Sequence, residues 1–81
     1  MNTDAARALL VHLVREVAPE VDLADIDDDA SIQEALDLDS MDFLRLVALL
    51  HDETGIDVPE RDYSRIGSIS EFVAYVENAT R

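Results

Sequence analysis

Residues 36–50 read Leu-Asp-Leu-Asp-Ser-Met-Asp-Phe-Leu-Arg-Leu-Val-Ala-Leu-Leu, and the fold is decided here. Asp39 is a good helix N-cap, and Asp42 puts a second carboxylate in the first turn, where the helix dipole favours negative charge. A helix therefore begins at Asp39 or Ser40. Met41, Phe43, Leu44, Leu46, Val47, Ala48, Leu49 and Leu50 are more apolar residues than one buried helix face holds in so small a protein. Leu46, Val47 and Leu50 form a core stripe. Met41, Leu44 and Ala48 then form a second stripe with no internal partner, and an exposed apolar stripe flanked by acids reads as a docking surface. Gly55 ends the helix as the residue just beyond it.

Towards the N-terminus, Thr3 is the expected cap of a first helix, with Asp4 in its first turn. Ala6, Leu9, Leu10, Leu13, Val14 and Val17 recur at spacings of three and four, and Pro19 stops the run, which predicts a helix over 4–17. Residues 18–38 form a long acidic loop, unusual in a small protein unless it is functional or pinned. Val21, Leu23, Ile26, Ile32, Leu36 and Leu38, spaced singly, are the expected pins. Ser31 with Glu34 can start a helical turn through Leu36.

Towards the C-terminus, Ile56-Asp57-Val58-Pro59 is extended, with Ile56 and Val58 inward. Residues 60–65 form a short helix, and Ile66 is an anchor. Ser68-Ile69-Ser70-Glu71 is a capping box, followed by Ile69, Phe72, Val73, Val76 and Ala79 at helical spacing, so a last helix covers 69–79. There is no strand signal and no repeat. The expectation is an all-α bundle over residues 1–81 as one domain: three main helices, one short helix and a long first loop.

Composition narrows the function. The chain has 81 residues, with 19 Asp plus Glu against 6 Arg and no Lys, for a net charge of −13. Such a surface repels nucleic acid and anionic lipid and attracts basic protein surfaces. The size disfavours a deep catalytic cavity and hence a self-sufficient enzyme. With no cysteine, the protein has no thiol chemistry of its own and no thiolate metal site. The N-terminus does not look like a signal peptide, and no run is long enough to span a membrane, so a cytoplasmic location is expected.

Ser40 is the residue of chemical interest. At a helix N-terminus, free amides and the dipole favour a phosphate. Position alone leaves it open whether Ser40 is an attachment point or merely helps to start the helix. As a self-activated nucleophile it fails: no Gly-x-Ser-x-Gly elbow surrounds it, and His51 lies about 16 Å along the same helix at 1.5 Å per residue. His12 and His51 are read as surface or boundary residues. A calcium loop starting at Asp25 has Asp at positions one, three and five. Ala30 then stands where Gly is needed and Leu36 where Glu is needed, so no metal site is expected.

Leu36-Asp37-Leu38-Asp39-Ser40-Met41-Asp42 resembles the Leu-Gly-x-Asp-Ser-Leu-Asp attachment motif of acyl carrier proteins. The likeness continues at Gly55-Ile56-Asp57-Val58-Pro59 and at Ile66-Gly67-Ser68-Ile69, and so covers essentially the whole chain. The resemblance implies an acyl-carrier-like helical bundle in which a phosphopantetheinyl transferase joins 4′-phosphopantetheine from coenzyme A to Ser40. The arm's thiol would carry acyl groups as thioesters for fatty acid, polyketide or related lipid biosynthesis, which fits a chain without cysteine. Such a protein is a monomeric shuttle and not an enzyme. Its implied partners are acyl-transfer and chain-elongation enzymes with basic surfaces. These would dock on Asp39, Met41, Asp42, Leu44, Arg45, Ala48, Asp52 and Glu53. An acyl chain would tuck between helices near Phe43, Leu46, Val47, Leu50 and Ile66. Four positions depart visibly from the pattern: Asp37 replaces Gly, Arg45 stands where an acid is common in fatty-acid carriers, and Phe43 and Tyr63 add bulk near the acyl pocket. Met41 for Leu is a mild change. The other reading is an acidic helical interaction module without a covalent cofactor.

Overall fold

In the computed structural model, which describes residues 1–80, three long helices pack around a shared core. Helix α1 spans Thr3–Val17, the short α2 Ile32–Ala35, α3 Ser40–Thr54 and α4 Ile69–Ala79. Two 3₁₀ segments, Leu23–Asp25 and Glu60–Ile66, lie in the connections. Among the described residues there is no strand, only one isolated antiparallel bridge between Ser31 and Ser68. The expected all-α bundle with a long first loop is what forms, and α4 keeps its expected bounds.

The caps explain the helix boundaries. The Asp39 carboxylate accepts from the Asp42 amide at 2.8 Å and starts α3. Gly55, at φ 76°, ends α3 in the left-handed conformation that glycine adopts without a Cβ penalty. Ser31 and Ser68 each accept from the amide of the Glu three residues on, Glu34 and Glu71, at 3.3 and 3.2 Å. One expected cap is corrected: α1 is capped by Asn2, whose Oδ1 accepts from the Ala5 amide at 2.8 Å, and not by Thr3. Asn is at least as good a cap as Thr. Thr3 instead occupies the first helical position, and its hydroxyl donates to Glu77 of α4 at 2.7 Å.

The core is filled by Leu10 and Leu13 of α1, Leu46 and Leu50 of α3, Ile66, and Ile69, Phe72 and Val76 of α4, all with no exposed surface. Each such side chain contributes about 1.5–3 kcal/mol on burial, which suffices to close a helical core of this size. Ala79, expected on the inner face of α4, is exposed, because the last turn of that helix runs past the core.

The loop over 18–38 is pinned as expected. Leu23, Ile32, Leu36 and Leu38 are buried, and Val21 and Ile26 pack partly against the core. Polar ties add to them. Arg7 of α1 pairs with Asp28 at 2.8 Å, the Ser70 amide donates to the Asp28 carbonyl at 3.0 Å, and the Ile32 amide donates to the Gly67 carbonyl at 2.8 Å. The last of these, with the Ser31–Ser68 bridge, sews the end of the first loop to the start of α4.

The 3₁₀ segment Glu60–Ile66 is braced against α4. The Tyr75 hydroxyl donates to Asp62 at 2.9 Å, and the Arg65 guanidinium lies 5.5 Å from the centre of the Tyr75 ring. Burial and the bond to Asp62 together push the Tyr75 hydroxyl's pKa above its usual value of 10.

Candidate functional site

The approach to Ser40 is a tight turn held on both sides. Leu36 and Leu38 are buried, and the Leu36 and Leu38 amides donate to the carbonyls of Ile32 and Gln33 at 3.0 and 2.8 Å. Between them Asp37 adopts φ 54°, the one non-glycine positive φ among the described residues. The aspartate that stands in the place of the motif's glycine therefore makes a left-handed turn, which Asp tolerates better than most residues. Asp39 follows in extended conformation and caps α3, so Ser40 becomes the first helical residue.

Ser40 is exposed. The first amides of a helix have no intrahelical acceptors, and Asp39 takes only that of Asp42, so the amides beside the serine hydroxyl remain available to an anion. Neither histidine accompanies the hydroxyl. Among the described residues, His12 is on α1 and bonded to Glu53 at 2.7 Å, and His51 stands near the far end of α3. Ser40 is thus accessible from outside, with no histidine placed to activate it.

A cleft of about 430 Å³ opens beside Ser40, between α3 and the 3₁₀ segment. Phe43, Leu44 and Tyr63 give it apolar walls, Gln33, Glu60 and Ser64 give it polar groups, and Gly67 completes it. The Phe43 and Tyr63 rings meet edge to face, centres 5.7 Å apart and planes at 74°. Of the side chains implied as an acyl pocket, Phe43 alone borders this cleft. Leu46, Leu50 and Ile66 are fully buried and Val47 is nearly so. The sequence reading did not place Gln33, Glu60, Ser64 and Gly67 here: Glu60 and Ser64 arrive on the 3₁₀ segment that carries Tyr63, and Gln33 and Gly67 flank the tie between residues 31–32 and 67–68.

The outer side of α3 carries the second apolar stripe. Met41 and Leu44 are 78% and 47% exposed, the most exposed large apolar side chains of the helix, and Ala48 is exposed in line with them. Arg45 and Asp52 lie on the same side, and Arg45 makes no ion pair among the described residues. Asp39 is exposed at the helix start. Asp42 and Glu53 flank the stripe, with Glu53 turned towards α1 by its bond to His12. No group of side chains among the described residues could hold a metal ion, and no helix is long and apolar enough to cross a membrane.

Comparison with known proteins agrees with this geometry. A family model described as a phosphopantetheine attachment site matches residues 8–76. The chain is 36% identical over 53 residues to an acyl carrier protein of Campylobacter hominis, covering 65% of this chain and 67% of that one. It is 34% identical over 58 residues to one of Lactobacillus johnsonii, covering 72% of each chain. It is 27% identical over 73 residues to one of Rubrobacter xylanophilus, covering 86% of this chain and 90% of that one.

Proposed function

The chain belongs to the acyl carrier protein family, with its phosphopantetheine attachment domain, and from that premise we propose that it shuttles acyl intermediates on an arm joined to Ser40. The observation that carries this reading is the setting of Ser40: exposed, first in α3, and fixed by the turn at Asp37 and the cap at Asp39. The residues present fit the group. The hydroxyl would supply the ester oxygen, the unsatisfied amides of the first turn would receive the phosphate, and the cleft runs from Ser40 along Phe43 and Leu44. When attached, 4′-phosphopantetheine supplies the thiol that this cysteine-free chain lacks.

The protein's own residues hold and present; they do not catalyse. A phosphopantetheinyl transferase brings the base that removes the Ser40 proton, since neither histidine is placed to do so. Biosynthetic enzymes with basic surfaces dock on the outer side of α3. There Met41, Leu44 and Ala48 provide apolar contact, and Asp39, Asp42, Asp52 and Glu53 steer the approach. Arg45 in the middle of this acidic face selects partners that answer it with a carboxylate. The carrier works as a monomer in the cytoplasm.

Intact mass tests the reading. Incubation with coenzyme A and broad-specificity transferases should add the mass of one phosphopantetheine to the wild-type chain and nothing to a folded Ser40→Ala variant. An unmodified wild-type chain with several transferases would refute it. It would favour a non-covalent acidic interaction module, whose basic partner would bind Ser40→Ala equally well.

A further inference from the structure

Resting on the reading of Ser40 as the attachment point, we infer that this carrier takes short, oxygenated acyl groups and excludes long saturated chains from its core, and that the Phe43–Tyr63 pair is the barrier. Ser40 borders the cleft, so an arm attached there can fold back and lay its acyl end in it. Its inner wall is Phe43, 6% exposed and braced edge to face by Tyr63. Behind that wall Leu46, Leu50 and Ile66 are fully buried, and none of them borders the cleft. Through this cleft a long chain could enter only by parting the two rings and displacing close-packed side chains, since protein interiors have few voids to yield.

The accessible part of the cleft is chemically mixed. Apolar surface from Leu44 and the two rings faces Gln33, Glu60 and Ser64 across an open mouth. A saturated chain laid there would strip water from the Glu60 carboxylate and the Gln33 amide without replacing the lost hydrogen bonds. A short acyl group with keto or hydroxyl oxygens supplies acceptors to the Gln33 amide and the Ser64 and Tyr63 hydroxyls, and lays its few carbons against Leu44 and Phe43. Two of the departures from the family motif, Phe43 and Tyr63, thus act together as one specificity element.

The test loads the ¹⁵N-labelled protein from acetoacetyl- and decanoyl-coenzyme A by a broad-specificity transferase, with intact mass confirming each adduct first. A failure of loading would count against the attachment reading, whereas all later outcomes bear on the cargo. With acetoacetyl loaded, amide resonances of Phe43, Leu44, Tyr63 and Ser64 should move relative to the unacylated holo-protein. With decanoyl loaded, the amides of Leu46, Leu50 and Ile66 should stay in place, and Tm should match that of the acetoacetyl form. Tyr63→Ala, at a half-buried site, should open the barrier, so that decanoyl then moves the three core amides and raises Tm. Phe43→Leu, a milder change in the wall itself, should do the same to a smaller extent. Core-amide shifts or a chain-length-dependent Tm in the wild-type protein would overturn the inference. So would cleft amides that ignore the acetoacetyl group, or folded variants that gain no response to decanoyl.

Discussion

Substituting Asp37 isolates the backbone strain that positions Ser40. Asp37 is exposed, its side chain makes no hydrogen bond among the described residues, and its φ is 54°. The cost of a change there is therefore conformational. A left-handed conformation costs an L-residue roughly 1–2 kcal/mol, and less for Asp or Asn, whose short polar side chains suit it. Asp37→Ala loses that tolerance and should destabilise by about 1 kcal/mol. Asp37→Val, β-branched at a positive φ, should cost about 2 kcal/mol. Asp37→Gly removes the Cβ strain but gives the unfolded chain about 0.5–1 kcal/mol of extra entropy, so it should stay within about 0.5 kcal/mol of the parent. Asp37→Asn keeps the left-handed tolerance while removing one of the charges that make up the net −13, and so separates strain from electrostatics.

Urea unfolding followed by circular dichroism at 222 nm reads the series, with constant m values as the check that only stability has changed. In a protein of this size 1 kcal/mol corresponds to about 4–8 °C in Tm, so the Gly-to-Val gap should span roughly 10 °C. The expected order is Gly and Asn near Asp, then Ala, then Val. If Val equalled Gly within about 0.5 kcal/mol, the turn would not be held left-handed and this account of how Ser40 is placed would fall.

Asp39→Ala should remove the cap of α3 and cost about 1 kcal/mol in urea unfolding, while Asp39→Ser should retain most of that stability; equal losses would mean the cap bond is unimportant. Tyr75 has its pKa raised in the folded state by burial and by its bond to Asp62. A raised folded pKa means that its contribution is fully present below the unfolded value of about 10 and is lost as pH rises through the folded one. Tyr75→Phe should therefore lower stability at pH 7 and flatten its decline above pH 10, and parallel wild-type and variant curves in that range would contradict this. Salt should raise Tm. The screening length falls from about 30 Å at 0.01 M to 10 Å at 0.1 M, across a molecule 30 Å long that carries net charge −13, and a flat scanning-calorimetry Tm over this range would refute the self-repulsion argument.

Much of the fold was legible because its boundaries are set by local chemistry. Asp39, Gly55 and the Ser68–Glu71 box each act within a few residues of themselves, and each ends or starts a helix where the sequence places it. The first cap is different: the sequence reading placed it at Thr3, and it lies one residue earlier, at Asn2. Both residue types can cap, and the Thr3 hydroxyl is engaged instead by Glu77, far along the chain, a contact that local sequence does not reveal. The same distinction runs through the candidate site. Ser40 and its turn are written in adjacent residues. The cleft beside it joins residue 33 to residues 60–67, a meeting that depends on two extended capping serines pairing across the molecule. The matching Ser-x-x-Glu boxes at 31–34 and 68–71 were visible, but nothing in either predicts that they meet.

The circumference of α3 explains why so small a protein leaves a large apolar stripe in water. Its inner side, through Leu46 and Leu50, is already saturated by α1, Ile66 and α4, and no further layer exists to receive Met41 and Leu44. Burying them would require another helix, so their exposure is a cost that a partner covering them would recover. Ser40 sits between the two sides, its cleft opening towards the 3₁₀ segment while the stripe faces outward. On the proposed reading, a partner seated on Met41, Leu44 and Ala48 would lie next to Ser40 and reach the cleft at Leu44. Leu44 belongs to both surfaces, as a wall of the cleft and a member of the stripe. A partner that docks against Leu44 also touches the wall on which the cargo would rest, so partner binding and cargo placement would be coupled through one side chain. Leu44→Ala should consequently weaken partner binding and also diminish the acetoacetyl-induced shifts at Tyr63 and Ser64, whereas Met41→Ala should weaken binding alone. Equal effects of the two variants on the cargo shifts would show that the two surfaces act independently.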